Sequence, residues 1–241
     1  MNERASPWWY RRRGTLLGVI YGAGFLFGNM TFGGPAREPA YVVWGERLAG
    51  DAGAIALLWA AFACALLAWL LRASGTAYLR RDVVFAADVQ RDRLVVAGPF
   101  RYLRNPLYVG NLFLALAIAL LAPPLGFAII LGGNVLWAVF VAAEEARELA
   151  HHYGDAYAAF RAAVPAFVPR LTPASVAGSV AVAPAWRPAL LGEAFCLALA
   201  LAIVPLALYG HAGLPAFWAI AGAAFLVFSV AGWSAGRARG D

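Results

Sequence analysis

Lysine is absent from this sequence of 241 residues, and all 19 of its basic residues are arginine. Charged residues of both signs make up only 13%, whereas about a quarter is usual in soluble domains. Hydrophobic residues reach 63%, and the mean hydropathy is +0.70. This composition excludes an ordinary soluble enzyme and a disordered chain. It also argues against nucleic-acid binding, although the formal net charge is +6.

Cysteine and histidine are also scarce. Cys64 and Cys196 lie within apolar runs and are expected to be small buried residues. None of the three histidines, His151, His152 and His211, has the spacing to a cysteine that is typical of a zinc site. The sequence therefore predicts no metal centre.

Long apolar segments are abundant, and six of them have lengths near the roughly 17–25 residues that a membrane-spanning helix needs. They are residues 14–30, 54–71, 107–122, 125–143, 189–209 and 214–233. Pro123 and Pro124 separate the third segment from the fourth, which predicts a tight helical hairpin. The expected fold class is therefore an all-α integral membrane protein with about six transmembrane helices.

The distribution of arginine predicts the orientation of these segments. If the N-terminus is cytoplasmic, 17 arginines lie on the cytoplasmic side and only Arg37 and Arg47 lie outside. Both termini are therefore expected in the cytoplasm, in an inner or plasma membrane. Residues 11–13, three arginines before an apolar stretch, also suit a secretory signal. No clear cleavage site of small residues follows, so a retained first helix is preferred.

The first apolar segment carries glycines at the spacing that lets helix backbones approach closely in lipid, Gly18-x-x-x-Gly22 and Gly24-x-x-x-Gly28. The partner is either another helix of the same chain or the same helix of a second copy in a homodimer. The sequence leaves both arrangements open. The aromatic residues 8–10, just before this segment, fit an interfacial aromatic belt.

Two polar segments on the predicted cytoplasmic side are long enough to hold an active site: residues 72–106 and 144–188. In the first of them, Asn105 is expected to cap a helix that begins at Pro106. The backbone N–H groups of that helix start, together with Arg101 and Arg104, would attract an anion such as a carboxylate or a phosphate. The alternative is that these arginines only anchor the chain to anionic lipid headgroups.

The second polar segment is predicted to continue the fourth apolar helix and to carry one apolar face. That face consists of Leu149, Tyr153, Tyr157, Phe160 and Val164. Glu144 and Glu145 stand where the helix leaves the predicted membrane, a position that is costly for carboxylates unless they are solvated or partnered. Glu145 is therefore predicted to contact a polar or cationic ligand held near Arg101 and Arg104. The alternative is a solvated helix end.

Both polar segments resemble signatures of a known family. Residues 98–110 read Gly-Pro-Phe-Arg-Tyr-x-Arg-Asn-Pro-x-Tyr-x-Gly. This is similar to the G-P-Y-R-Y-x-R-H-P-x-Y-x-G signature of the isoprenylcysteine carboxyl methyltransferase family. Residues 145–165 resemble the second signature of that family, E-E-x-x-L-x-x-x-F-G-x-x-Y-x-x-Y-x-x-x-V-P. The resemblance covers roughly residues 54–170, and phospholipid methyltransferases share the first motif in looser form.

The resemblance implies an integral membrane enzyme that uses S-adenosylmethionine, with a cofactor pocket on the cytoplasmic face. The residues that it nominates for cofactor binding are Asp92, Arg93, Leu94, Val95, Phe100, Tyr102, Asn105, Pro106, Leu107, Tyr108 and Glu145. The catalytic residues that it implies are Arg101, Arg104 and Glu145, and it implies no metal.

Two positions depart from the family pattern. Asn105 stands where the family most often has histidine, and an Asn-Pro pair also resembles the phospholipid branch. The second glutamate of the second signature falls on Ala146, so Glu145 rather than Glu144 is the matching carboxylate. Outside the shared core, Glu193 near the start of the fifth apolar segment is expected to be an interfacial glutamate, and the alternative is a functional residue at membrane depth.

The expected organisation is an N-terminal helix with an outer loop at 1–53, a methyltransferase-like core at 54–170 and a two-helix extension at 171–241. The expected activity is methyl transfer to a lipophilic acceptor that enters from the bilayer. The alternatives are a phospholipid N-methyltransferase or small-thiol S-methyltransferase, a membrane reductase that uses NADPH, and a non-enzymatic membrane protein. The lack of a Gly-rich dinucleotide motif discriminates weakly against the reductase. The scarcity of polar residues within the spans argues against a transporter.

Overall fold

The computed structural model describes residues 7–30, 37–79, 94–176 and 182–237, without the side chains of 229–237. Within these ranges the chain is helical and contains no strand, as the sequence predicts. The helices are α1 (Trp8–Arg11), α2 (Arg13–Met30), α3 (Ala40–Leu79), α4 (Pro106–Leu120), α5 (Pro124–Tyr153), α6 (Asp155–Ala163), α7 (Trp186–Gly192), α8 (Ala194–Tyr209) and α9 (Leu214–Arg237). Short 3-10 helices occupy Gly98–Arg101 and Gly210–Gly213.

Among the described residues, three stretches are long and apolar enough to cross a membrane. They are Ala40–Leu79, Pro124–Tyr153 and Ala194–Phe228, the last of which joins α8 to the first part of α9. Large apolar side chains point away from the bundle on several helices; for example, Phe140 is 63% exposed and Phe225 is 65% exposed. Exposed apolar surface of this extent is typical of a protein that contacts lipid.

The hairpin predicted at Pro123-Pro124 is confirmed. Helix α4 ends at Leu120 and α5 begins at Pro124. Pro124 occupies the first helical position, where its missing N–H removes no hydrogen bond. The backbone N–H of Ala40 donates to the carbonyl oxygen of Ala122 at 2.8 Å, so the start of α3 is fixed against this turn.

The predicted outer loop is partly helical, because residues 40–48 belong to α3. The helix is interrupted at Ala49 and Gly50, and Gly50 has a φ of 59°. After this break the chain doubles back, so that a Cβ on Gly45 would collide with the backbone of Ala54. Glycine permits both the positive φ and the close approach. Residues 40–48 therefore pack against the start of the long helical stretch 51–79.

The helices pack in the spatial order α2, α5, α4, α3, α8 and α9. The largest core cluster lies mainly between α3, α4 and α8, and half of its buried residues are alanines: Ala61, Ala65, Ala117, Ala200, Ala202 and Ala207. Cys196 on α8 is buried as predicted, whereas Cys64 is only partly buried. Small residues let the backbones approach closely, which is how helices gain packing energy where the surroundings are themselves apolar.

The four glycines of the two Gly-x-x-x-Gly repeats in α2 separate into two pairs. Gly24 and Gly28 face α5, where a Cβ on Gly28 would lie 3.2 Å from the Cα of Gly126. A Cβ on Gly18 or Gly22 would meet none of the described atoms within 4 Å. The second pair therefore packs within the chain. A homodimer contact through the first pair stays a prediction.

Replacing Gly126 by alanine is expected to destabilise the bundle by about 1–3 kcal/mol, because the added methyl group overpacks the contact with Gly24. Gly132→Ala on the same helix is the matched control, since a Cβ there meets nothing within 4 Å among the described residues. The control should be neutral or slightly stabilising. Thermal unfolding in detergent measures both variants, and equal midpoints would show that the contact is not tight.

Candidate active site

The first motif forms a compact turn at the start of α4. Gly98 has a φ of 53°, and a Cβ there would collide with the ring of Tyr78 on α3. Both conditions favour glycine at this position. Phe100 and Leu103 are buried, whereas the side chain of Arg104 is only partly buried. The turn is thereby anchored by its apolar residues and carries its arginines closer to the surface.

Residues 164–176, here termed the strap, follow α6 and run back along this turn. Three backbone hydrogen bonds of 2.8–3.0 Å hold the strap in place: from the N–H of Arg104 to Pro165, of Arg170 to Tyr102, and of Ala174 to Arg101. Because the strap begins with the Val-Pro pair of the second motif, these bonds join the two motifs into one unit.

Two side chains of the first motif are also bound to the strap. Arg101 Nε donates to the carbonyl oxygen of Ala174 at 2.9 Å. Asn105 Nδ2 donates to the carbonyl oxygen of Ala166 at 3.0 Å. Asn105 stands at the N-cap position of α4, but its side chain makes no capping hydrogen bond. The prediction of a side-chain cap is therefore wrong, since the amide group is directed to the strap instead.

The guanidinium group of Arg104 has one N–H donor, at Nε, that is not used by the described residues. Its Nη1 lies 3.4 Å from the hydroxyl oxygen of Tyr157, which belongs to the second motif. Its Nε is buried and has no hydrogen-bond partner among the described residues. A buried donor that lacks a partner costs free energy. This atom therefore marks a place where an anionic or polar ligand would be stabilised.

Glu145 on α5 faces the first turn of α4 and the N-terminal helix. The hydroxyl of Tyr108 donates to Glu145 Oε1 at 2.5 Å, and the hydroxyl of Tyr10 donates to the same oxygen at 2.7 Å. No hydrogen bond from the described residues reaches Oε2. Arg13 contributes a positive charge nearby. The carboxylate is thus held through one oxygen, and the other remains able to accept a hydrogen bond from a ligand.

Trp137 supports this arrangement from α5. Its indole Nε1 donates to the carbonyl oxygen of Arg13 at 3.1 Å. Its ring meets the ring of Tyr108 edge-on, with 5.5 Å between the centroids. These five residues, Tyr10, Arg13, Tyr108, Trp137 and Glu145, are termed the Glu145 cluster. The cluster joins α1, α2, α4 and α5 at one end of the bundle.

Arg104 lies just before the start of α4 and Glu145 lies on α5, and these two helices pack against each other. The two side chains do not contact each other directly. No hydrogen bond or ion pair connects the two side chains within the described ranges. Helix α4 connects them indirectly. Arg104 lies just before this helix, and Tyr108, which donates to Glu145, lies in its first turn. Both polar groups therefore lie at the same end of α4.

The remaining nominated residues surround this end of α4. Val95 and Pro106 are buried, Leu94 is partly buried, and Tyr102 is 37% exposed. Leu107 lies against Gly75 of α3, where it leaves no room for a Cβ. The nominated residues Asp92 and Arg93 lie outside the described residues.

The apolar face predicted for the second motif is confirmed. Tyr157, Phe160 and Val164 form a buried cluster with Val96, and Leu149 and Tyr153 pack against it. The helix breaks at Gly154, which has a φ of 50° and divides α5 from α6. This cluster fixes the second motif against the residues that lead into the first.

Tyr10 was not recognised as a site residue from sequence. The prediction of an interfacial aromatic belt fits Trp8, whose surface is 66% exposed. The prediction is wrong for Tyr10, which is 1% exposed and packs inside the protein. The bond from Tyr10 to Glu145 spans 135 residues of sequence. No local pattern of residues signals a contact of that length.

Glu193, expected as an interfacial carboxylate, is buried inside the helical bundle, with 2% of its surface exposed. Arg72 Nε lies 2.6 Å from Glu193 Oε2, and the hydroxyl of Thr76 donates to Oε1 at 2.8 Å. Arg72 also donates to Asn111 Oδ1 on α4. On its way the arginine side chain crosses Gly110, the last glycine of the first motif. The pair therefore ties the start of the C-terminal helices to the motif-bearing helix.

A shallow apolar groove runs along the first part of α5. It is lined by Trp44, Phe127, Leu131 and Val135, among others. Glu145 lies near the other end of this helix, so the groove is not the predicted cofactor pocket. Within the described ranges no group of His, Cys, Asp and Glu side chains could hold a metal ion.

Long apolar helices whose polar end is built from two motifs are typical of a helical membrane protein. The family model described as phospholipid methyltransferase matches residues 56–156, a range that includes α4, α5, Arg104 and Glu145. Over this part the chain is similar to the membrane methyltransferases, which fits the resemblance that the two motifs indicated. Neither a curated protein nor a solved structure matches the chain.

Proposed function

We propose that this chain is an integral membrane methyltransferase that uses S-adenosylmethionine and acts on a lipophilic acceptor. The observation that carries the proposal is the pair of open hydrogen-bonding positions within the matched residues, Arg104 Nε and Glu145 Oε2. The carboxylate of the cofactor suits the arginine, and its hydroxyl and amino groups suit the glutamate. The donors and acceptors present therefore fit the cofactor.

The residues of the site would act mainly by alignment. S-adenosylmethionine, when bound, supplies a methyl group activated by a sulfonium. Methyl transfer is an in-line displacement, so holding the acceptor atom and the methyl group at about 3–3.5 Å lowers the barrier. Arg104 and the start of α4 would hold the carboxylate. Glu145, fixed by Tyr108, would hold a hydroxyl or amino group, and Arg101 would keep the strap against the motif.

The proposal includes six membrane crossings. Helices α3 and α5 each cross once, α8 and α9 form two crossings within the third long apolar stretch, and α2 and α4 add the remaining two. The bias of arginine toward one side supports cytoplasmic termini. The site then lies at the inner leaflet, between the start of α4 and the end of α5. In this position the cofactor arrives from water and a lipid acceptor arrives sideways from the bilayer.

Two acceptor classes are supported by different observations. Both motifs resemble those of enzymes that methylate the carboxylate of an isoprenylcysteine, and a carboxylate needs no proton acceptor. The description of the matched family favours a phospholipid, whose amine must lose a proton. His151 and His152 are exposed at the end of α5 and lie outside the Glu145 cluster, so we assign them no role in that step.

S-adenosylhomocysteine is expected to raise the thermal unfolding midpoint of the purified protein, because a ligand that binds only the folded state stabilises it. NADPH should leave the midpoint unchanged. A shift with NADPH and none with S-adenosylhomocysteine would favour a membrane reductase and refute the proposal. No shift with either compound would favour a non-enzymatic membrane protein.

The acceptor can be identified with a labelled methyl donor. The purified protein is incubated with a prenylated cysteine, with phosphatidylethanolamine or with a total lipid extract, and the labelled product is then analysed. Label in the prenylated cysteine ester or in the phospholipid headgroup distinguishes the two classes. Label in neither, and in no component of the extract, would contradict a lipophilic acceptor.

A further inference from the structure

We propose that Tyr10 is a positioning residue of the cofactor site, and that the N-terminal helix α1 therefore contributes to a site whose two open hydrogen-bonding positions lie within residues 56–156. The inference rests on the proposed function, because it assigns Tyr10 to the binding of the same cofactor through Glu145. The carrying observation is that hydroxyl groups from two different helices converge on one oxygen of Glu145.

The docking of α1 depends on tertiary contacts. The helix has only four residues, Trp8–Arg11, which is too short for stability by itself. Tyr10 is nevertheless 1% exposed, whereas its neighbour Trp8 is 66% exposed. The guanidinium carbon of Arg13 lies 4.4 Å from the centroid of the Tyr10 ring. These contacts bury the tyrosine hydroxyl against Glu145.

Two donors define the orientation of the carboxylate better than one. The last torsion of a glutamate side chain is soft, so a single hydrogen bond from Tyr108 leaves the plane of the carboxylate poorly defined. The hydroxyl of Tyr10 comes from another helix and binds the same oxygen at 2.7 Å. Oε1 is thereby fixed, and Oε2 is presented to the cofactor in one orientation.

Such preorganisation acts on binding more than on the chemical step. If Glu145 is already ordered in the free protein, binding loses less side-chain entropy. Removing the Tyr10 hydroxyl should therefore raise the KM for S-adenosylmethionine and leave kcat nearly unchanged. A purely structural role for Tyr10 would lower the unfolding midpoint and the active fraction without changing the KM.

The test is Tyr10→Phe, which keeps the ring and its contact with Arg13 but removes the hydroxyl. The dissociation constant for S-adenosylhomocysteine, measured by calorimetry, is expected to rise about tenfold. The KM for S-adenosylmethionine, measured with a total lipid extract as acceptor, should rise in parallel. The matched control is Tyr209→Phe on α8, a tyrosine that is 68% exposed, and it should bind like the wild type.

A double variant separates a role through Glu145 from an independent one. Tyr10→Phe combined with Glu145→Gln should bind no more weakly than Glu145→Gln alone, because both changes remove the same function. Additive losses would overturn the inference, as would unchanged affinity in Tyr10→Phe when the wild type binds. Failure of the wild type to bind would refute the proposed function and the inference with it.

If Tyr10→Phe does not yield folded protein, Tyr10→His provides the second variant. Histidine keeps a ring and an N–H donor, so it is expected to fold and to bind S-adenosylhomocysteine with an affinity below that of the wild type. Because histidine keeps a donor, the deciding measurement in this variant is its combination with Glu145→Gln. A loss of affinity beyond that of Glu145→Gln alone would show that residue 10 acts independently of Glu145 and would overturn the inference.

Discussion

Glu145→Gln is expected to weaken the binding of S-adenosylhomocysteine by about ten- to a hundredfold, which corresponds to the loss of a hydrogen bond to a charged group. Glutamine keeps the size of the side chain but removes the charge that attracts an amino or hydroxyl group. The protein should still fold, because Tyr108 and Tyr10 can donate to the amide oxygen as they do to the carboxylate. Calorimetric titration in detergent measures the change.

The chain offers matched controls for this experiment. Glu144 is the preceding residue, and it pairs with the exposed Arg147 at 3.2 Å instead of entering the Glu145 cluster. Glu144→Gln should therefore bind within about twofold of the wild type, since exposed ion pairs contribute little. Arg104→Ala should weaken binding like Glu145→Gln, with Arg147→Ala as its control. Equal affinities in all four variants would remove the site assignment.

Arg72→Met is expected to lower the free energy of unfolding by about 3–5 kcal/mol, because it leaves the buried carboxylate of Glu193 without its charged partner. The carboxylate is 2% exposed and lies 2.6 Å from the guanidinium, so water cannot replace the lost contact. Equilibrium unfolding in detergent micelles measures the difference. Thr76, which donates to the other oxygen, would remain as a neutral partner.

Two further variants test whether charge burial causes this loss. Arg147→Ala removes the surface pair with Glu144 and should cost at most about 1 kcal/mol. Arg72→Met combined with Glu193→Gln should recover part of the stability, because no unpaired charge then stays buried. If Arg72→Met and Arg147→Ala lower the free energy of unfolding by the same amount, the buried pair does not hold the helices together.

The buried pair also bears on the role of the C-terminal helices. Glu193 lies between α7 and α8, outside residues 56–156, and Arg72 reaches Asn111 across Gly110 of the first motif. A change in α8 can therefore disturb the helix that carries Tyr108. The two C-terminal helices are tied to the motif-bearing part of the chain rather than appended to it.

Much of the helical architecture could be predicted because its signals are local. Apolar runs fix where helices form, and the Pro123-Pro124 pair fixes where α4 gives way to α5. The recurrence of apolar residues at three or four positions predicted the buried face of α6 correctly. Motif spacing pointed to Arg104 and Glu145, and the family model matches residues 56–156, the part of the chain in which both residues lie.

Side-chain partners were less predictable because they depend on distant segments. The capping role expected for Asn105 failed since the strap, some sixty residues later, offers a carbonyl oxygen. Glu193 was expected at the interface, but Arg72 is 121 residues away in sequence and only the fold brings the two together. Tyr10 has no motif around it, and its relation to Glu145 exists only once α1 has docked.

The sequence by itself thus determined an all-helical membrane architecture and the two motifs, since hydropathy, proline and spacing act within a few residues of where they occur. The tertiary structure alone decided which hydroxyls hold Glu145, which donor of Arg104 stays open and which carboxylate neutralises Arg72. Those choices depend on how the helices pack, and packing brings together residues that no local pattern connects.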